Sequence, residues 1–157
     1  MKGEEDFSAY AGARWGALVR SGIVLGCTLD EAQDLAQTTL IRCYTAWDKV
    51  QRADNPDAYV YRVLLNCQRD RRRRRWWGER PSAEVPDPPV ADETIRVDTT
   101  DAVHRALGNL SKVNREVVIL RYYANLSDQQ IAVVLGIAPG TVKSRMSRAL
   151  DQLVRRV

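Results

Sequence analysis

The sequence predicts an all-α chain: two small helical domains joined by a Pro/acidic linker, the C-terminal one carrying a helix-turn-helix. Three observations carry this. Apolar residues recur at helical spacing toward both ends of the chain. An acidic stretch with four prolines, residues 78–101, separates them. Charge divides along the same line: residues 1–77 hold 13 basic and 10 acidic side chains, residues 78–102 hold 2 and 7, and residues 103–157 hold 9 and 3. Two basic blocks around an acidic connector suggest two nucleic-acid-binding modules on one tether.

Taken in order, residues 5–20 read as a helix with Phe7, Ala11, Leu18 and Trp15 toward a core. Two glycines within Ser21–Thr28 predict a break. Asp30 is expected to cap a second helix running to about Trp47, with Leu35, Ala36, Leu40, Cys43, Tyr44 and Trp47 at helical spacing. A polar loop, Asp48–Asn55, follows. Asn55 then caps a third helix with Pro56 at its first position. Tyr59, Val60, Val63, Leu64 and Cys67 form its buried stripe, while Tyr61, Arg62, Asn66, Arg69 and Asp70 lie largely off it. This helix ends in RDRRRRRWW, residues 69–77, where six of the first seven residues are arginine. Such crowding of like charge favours an anionic partner, and phosphate is the obvious one. Trp76 and Trp77 either stack on bases or close the small core.

Residues 78–101 are read as a linker and as the domain boundary, because Pro81, Pro86, Pro88 and Pro89 prevent a helix. Asp101 then caps a helix bearing Val103, Leu107 and Leu110, and Ser111 caps the next, with Val117, Val118 and Leu120 inward. The stretch Leu126–Leu153 reads as two helices around a tight turn. Ser127 and Gln130 make a capping box, Ile131, Ala132 and Leu135 face inward, and Gly136 can turn the chain left-handed. Pro139 suits the first turn of the second helix, whose expected stripe is Val142, Met146, Leu150 and Leu153. Thr141, Lys143, Ser144, Arg145, Ser147 and Arg148 remain on the other face as donors to phosphates and base edges, the layout of a recognition helix in a major groove.

Composition narrows the function. No apolar run is long enough to span a membrane, and the acidic start MKGEEDFSAY lacks a signal peptide's apolar core, so a cytoplasmic protein is expected. Cys27, Cys43 and Cys67 form no C-x-x-C pair and His104 is the single histidine, which favours free thiols over a metal site. No metal and no cofactor are expected. With no partnered nucleophile or acid pair in a recognisable motif, no enzyme chemistry is expected.

Three stretches resemble a known family. REVVILRYYANLSDQQIAVVLGIAPGTVKSRMSRA, residues 115–149, is similar to the C-terminal domain of group IV (extracytoplasmic-function, ECF) bacterial RNA polymerase sigma factors. DEAQDLAQTTLIRCY, residues 30–44, resembles the core-binding helix of their N-terminal domain. AYVYRVLLNCQRDRRRR, residues 58–74, resembles the helix that reads and melts the promoter −10 element. RRWWGERP and the linker after it are similar to the actinobacterial SigE-like subgroup.

The resemblance implies roles and partners. Asp34, Leu35 and Gln37 match the motif that docks on the polymerase β′ subunit. Asn66 and Asp70 match the polar pair of the −10 helix, with Tyr59, Tyr61 and Arg62 near the opened strand and Arg69 and Arg73 as further −10 DNA-binding residues. Lys49, Arg52 and Asn55 fall in the loop that captures an unstacked base. Thr141, Lys143, Ser144, Arg145 and Arg148, with Arg115 from an earlier helix, match the −35 reader. The implied domains are 1–77 for core binding and the −10 element, and 102–157 for the −35 element. The implied partners are core RNA polymerase (β and β′ subunits), promoter DNA and an anti-sigma factor. The competing reading is a stand-alone helix-turn-helix DNA-binding transcriptional regulator, which leaves residues 30–77 unexplained.

Overall fold

The computed structural model describes residues 2–77 and 106–156; the linker 78–101 and the Asp101 cap with Val103 lie outside them. Every regular element described is an α-helix. They are α1 (Lys2–Val24), α2 (Leu29–Thr45), α3 (Trp47–Arg52), α4 (Pro56–Trp76), α5 (Lys112–Tyr122), α6 (Asp128–Leu135) and α7 (Pro139–Arg156). Residues 106–108 are also helical, with Leu107 and Leu110 buried ahead of α5.

The first half is built on α2, which packs between α1 and α4. The break expected within Ser21–Thr28 forms late in that stretch, because α1 runs on through Ser21 and Gly22 to Val24. Ser21 Oγ donates to Ala17 O at 2.7 Å and leaves the helix intact, and Gly22 lets α1 approach α2 so closely that a Cβ there would sit 2.9 Å from Ala32 Cβ. The chain turns instead at Gly26, whose φ of 103° favours glycine. The cap of α2 is Thr28, not Asp30. Its hydroxyl accepts from Glu31 N at 3.2 Å and the Glu31 carboxylate accepts from Thr28 N at 2.9 Å, a reciprocal pair that Asp30 has no geometry to make. The stretch expected as loop, Asp48–Asn55, is mostly the short helix α3, which seats the fully buried Val50 in the core. Asn55 caps α4 as expected, accepting from Asp57 N and Ala58 N with Pro56 at the first position.

Some side chains turn outward against expectation. Trp15 is 38% exposed, because α1 presents Leu18 and Val19, not Trp15, toward α2. Trp76 and Trp77 are 86% and 77% exposed, so they close no core. On α7 the stripe is Val142, Met146, Ala149 and Leu153, with Ala149 fully buried and Leu150 43% exposed. At about 100° per residue, position 149 returns to within ~20° of Val142, whereas 150 lies ~80° away.

The second half is α5–α7. Ser111 caps α5 by accepting from Asn114 N, and Ser127 with Gln130 forms the expected capping box on α6. Gly136, at φ 67°, ends α6 in the left-handed conformation and donates to Ala132 O and Val133 O. The two halves meet along a seam in which α4 packs on α6 and α5, and α1 on α5. Among the described residues three polar links cross it. Tyr61 Oη donates to Tyr123 O at 3.4 Å, an Arg115 Nη donates to Val24 O at 3.3 Å, and Arg69 Nη2 pairs with Glu116 at 3.4 Å.

Candidate nucleic-acid interface

The interface is assembled from two helices. On α4, Tyr59, Arg62, Asn66, Arg69, Asp70 and Arg73 fall within about 100° of one another around the axis, so one stripe carries aromatic, amide and guanidinium groups together. Arg62, Asn66, Arg69 and Arg73 on it are exposed. Asp70 is the brace: its carboxylate accepts from Arg73 at 2.5 Å and faces Arg42 of α2 at 3.7 Å. Arg69 reaches Asn66 Oδ1 at 3.5 Å and also the carboxylate of Glu116 across the seam.

Tyr61 does not share that stripe. Two residues after Tyr59 it sits ~200° around the helix, and it is 1% exposed. Its hydroxyl meets Ser21 Oγ at 3.5 Å and the Tyr123 carbonyl, and burial pushes the phenol pKa up. The expectation that Tyr61 lies off the buried face is therefore corrected, and in this arrangement it faces no ligand. Arg115, expected beside the −35 reader, lies at the seam. Its guanidinium is partly buried, its pKa is lowered by desolvation and by nearby Arg72, and it donates to the carbonyl of Val24.

The start of α4 is clamped by residues that the sequence did not single out. Arg14 grips Asp57 in a two-pronged pair, Nε to Oδ1 at 2.8 Å and Nη2 to Oδ2 at 3.2 Å, and the Tyr10 hydroxyl donates to the same carboxylate. Burial and that hydrogen bond push the Tyr10 phenol pKa up. Tyr10 also packs on Trp47 and, with Phe7 and Tyr44, closes an aromatic cluster. The clamp fixes the segment holding Lys49, Arg52 and Asn55. Lys49 and Arg52 are exposed on α3, while Asn55 spends its side-chain oxygen on the cap. An aspartate at the second position of a Pro-started helix was the only sequence signal, and it reads as a dipole preference alone.

On α2, Asp34 and Gln37 are exposed one turn apart, and Leu35 is fully buried. Leu35 lies ~100° around the helix from Asp34, in the core, so it can only position its neighbours. On α7, Lys143, Ser144 and Arg148 are exposed while Thr141 and Arg145 are half-buried. Ser144 Oγ donates to Gly140 O at 3.1 Å. Val142 and Ala149 turn this donor face outward. Arg121 pairs with Asp128, which ties the start of α6 to α5. Among the described residues no group of three His, Cys, Asp or Glu could hold a metal ion, and no described helix is long and apolar enough to cross a membrane.

Two family models fit the two halves: sigma-70 region 2 over residues 6–78 and sigma-70 region 4 over residues 100–153. The RNA polymerase sigma-E factor of Streptomyces avermitilis is 37% identical over 153 residues, covering 94% of this chain and 83% of that protein. The chain belongs to the ECF RNA polymerase sigma factors. Another similar protein is the ECF RNA polymerase sigma factor SigM of Mycobacterium tuberculosis, 33% identical over 82% of this chain and 65% of that one. Among solved structures, the sigma factor RpoE from Bartonella quintana, in complex with the anti-sigma factor NepR, is similar at TM-score 0.73 and 28% identity, covering 97% of this chain and 96% of that one. As a sigma factor this protein directs transcription initiation and is not an enzyme. The exposed α4 stripe and the outward face of α7 thus fall one in each family region.

Proposed function

We propose that this sigma factor docks core RNA polymerase through Asp34 and Gln37 of α2, opens and reads a −10 element with the α4 stripe, and reads a −35 element with α7. Residues 1–77 and 102–157 would be the two working domains, with 78–101 as their connector. The carrying observation is that two separate donor faces, Arg62–Asn66–Arg69–Arg73 and Lys143–Ser144–Arg148, are exposed in one chain, each within a sigma-70 region match. Opening costs a few kcal/mol per unstacked base step, offset by stacking and hydrogen bonds in the protein. No step needs a protein-held cofactor, and the site of action is where the polymerase works, the cytoplasm.

An anti-sigma factor is the further proposed partner. The support is the full-length likeness to RpoE, solved with NepR bound. The decisive test is run-off transcription with core polymerase on a genomic promoter pool, alongside co-elution of the wild type and Asp34→Ala/Gln37→Ala with core enzyme. The double variant is expected to lose co-elution while its binding to −35 duplex DNA stays unchanged. Discrete start sites with wild type support the proposal. DNA binding with no core-dependent transcript favours a stand-alone regulator.

A further inference from the structure

The groove between α2 and the last turns of α4 is a concave surface with an excess of positive charge. Its volume is about 310 Å³, and it is lined by Asp34, Thr38 and Arg42 from α2 and by Cys67, Asp70, Arg71, Arg74 and Arg75 from α4. Cys67, Asp70, Arg71 and Arg74 fall at i, i+3, i+4 and i+7, so the arginines line a continuous wall. Four guanidiniums face two carboxylates there, an excess of two positive charges. Adding the nearest outside partners, Glu31 on Arg71 and Arg75 and Arg73 on Asp70, gives five against three and leaves the same excess.

Three of the four arginines are also held in place. Arg71 Nη1 donates to Glu31 O at 2.8 Å and its head lies 4.0 Å from the Glu31 carboxylate, Arg75 pairs with Glu31, and Arg42 leans on Asp70 at 3.7 Å. Fixed guanidiniums suit phosphate, because their planar donors match its oxygens and little rotamer freedom remains to be lost on binding. None of Arg42, Arg71, Arg74 or Arg75 belongs to the α4 stripe or to the proposed docking pair. We infer that this groove is a binding site for a compact phosphoanion carrying at least two negative charges, of the diphosphate class, supplied as a free small molecule or as adjacent phosphates of a nucleic-acid backbone.

Because Asp34 lines the same groove, an occupant would sit beside the surface proposed for core polymerase. The binding itself needs no polymerase, so its failure and the failure of the docking assignment are separable. The test is isothermal titration of the full chain with sodium pyrophosphate at low salt. It uses wild type, Arg42→Gln/Arg74→Gln, and Arg145→Gln/Arg148→Gln as a distant control, each checked for folding by thermal melting. One saturable site, weakened at least about tenfold in the groove variant and unchanged in the control, is the expected result; two lost charge-assisted contacts each contribute at least that much. Competition with a single-stranded oligonucleotide then separates the sources. Displacement, with oligonucleotide affinity falling in the same variant, assigns the site to backbone phosphates; no displacement assigns it to a free anion. The proposal is overturned by unsaturable binding or by equal binding in wild type and groove variant. It is equally overturned if the groove accepts pyrophosphate only after Glu84, Asp87, Asp92 and Glu93 are changed to amides, since the chain's own acidic connector would then be the occupant.

Discussion

Removing the charge of Glu116 while keeping its shape isolates the one ion pair that crosses the seam among the described residues. The Glu116 side chain is 5% exposed, Arg69 is 45% exposed, and the closest approach is 3.4 Å. At that distance two unit charges attract by about 5 kcal/mol at an effective dielectric of 20 and by about 1 kcal/mol in bulk water. Burying the carboxylate offsets much of the larger figure, and the half-exposed arginine remains partly solvated. A net coupling of about 1–2 kcal/mol is therefore expected. Urea unfolding of wild type, Arg69→Gln, Glu116→Gln and the double variant gives that coupling directly from the cycle. Glutamine retains a carbonyl acceptor, so the measurement reads charge and not hydrogen-bond loss. The half-buried position also predicts that most of the coupling survives in 0.5 M salt, unlike that of a surface pair. A coupling below about 0.3 kcal/mol at low salt would refute the seam's electrostatic account.

Three further outcomes are expected. Arg145→Ala should relax specificity at one −35 position at a cost of about 1–3 kcal/mol, while Arg148→Ala should weaken all sequences alike and lower the salt slope by about one; uniform losses for Arg145→Ala on −35 variants would reverse that ranking. Burial, with Cys67 adding, pushes the Cys43 thiol from 9.0 up to about 12. The folded state thus holds that proton more tightly than the unfolded state. The associated stability is complete below the unfolded value, near pH 9, and is lost as pH rises toward the folded value, by up to about 1.4 kcal/mol per unit. Denaturation from pH 8 to 11 should show this slope in wild type and a shallower one in Cys43→Ala. Finally, Gly22→Ala should destabilise by about 1–3 kcal/mol, because its Cβ would meet Ala32 Cβ at 2.9 Å, whereas Gly12→Ala has nothing within 4 Å and should be neutral or stabilising by chemical denaturation.

Helix ends governed by local chemistry were legible in the residues. Asn55–Pro56, Ser111, Ser127 with Gln130 and Gly136 each announce an end through groups at most three positions apart, and each forms as expected. What required the third dimension was harder to read. The break within Ser21–Thr28 was legible but its place was not: Gly22 stays helical because α2 needs a small residue opposite Ala32, and the chain turns at Gly26. Leu150 outranks Ala149 in hydrophobicity, yet helical pitch gives the alanine the core position. Tyr61 and Arg115 look like polar surface residues because their acceptors, the carbonyls of Tyr123 and Val24, are 62 and 91 residues away. The exposed stripe on α4 was largely recoverable, since it follows from period alone. The clamp on Asp57 was not, because Tyr10 and Arg14 sit on another helix.

Of the three polar links across the seam among the described residues, two end on main-chain carbonyls and one ends on a side chain. A carbonyl is present whatever residue occupies the position. The receiving side at Tyr123 and Val24 is therefore free to drift in sequence, and only the donors Tyr61 and Arg115 are constrained by these bonds. In an alignment of close relatives, Arg69 and Glu116 should change together, whereas Tyr61 and Arg115 should be retained without any covarying partner. A contact map inferred from correlated substitutions would register one point of this seam and leave the other two unseen, understating how firmly the halves are matched.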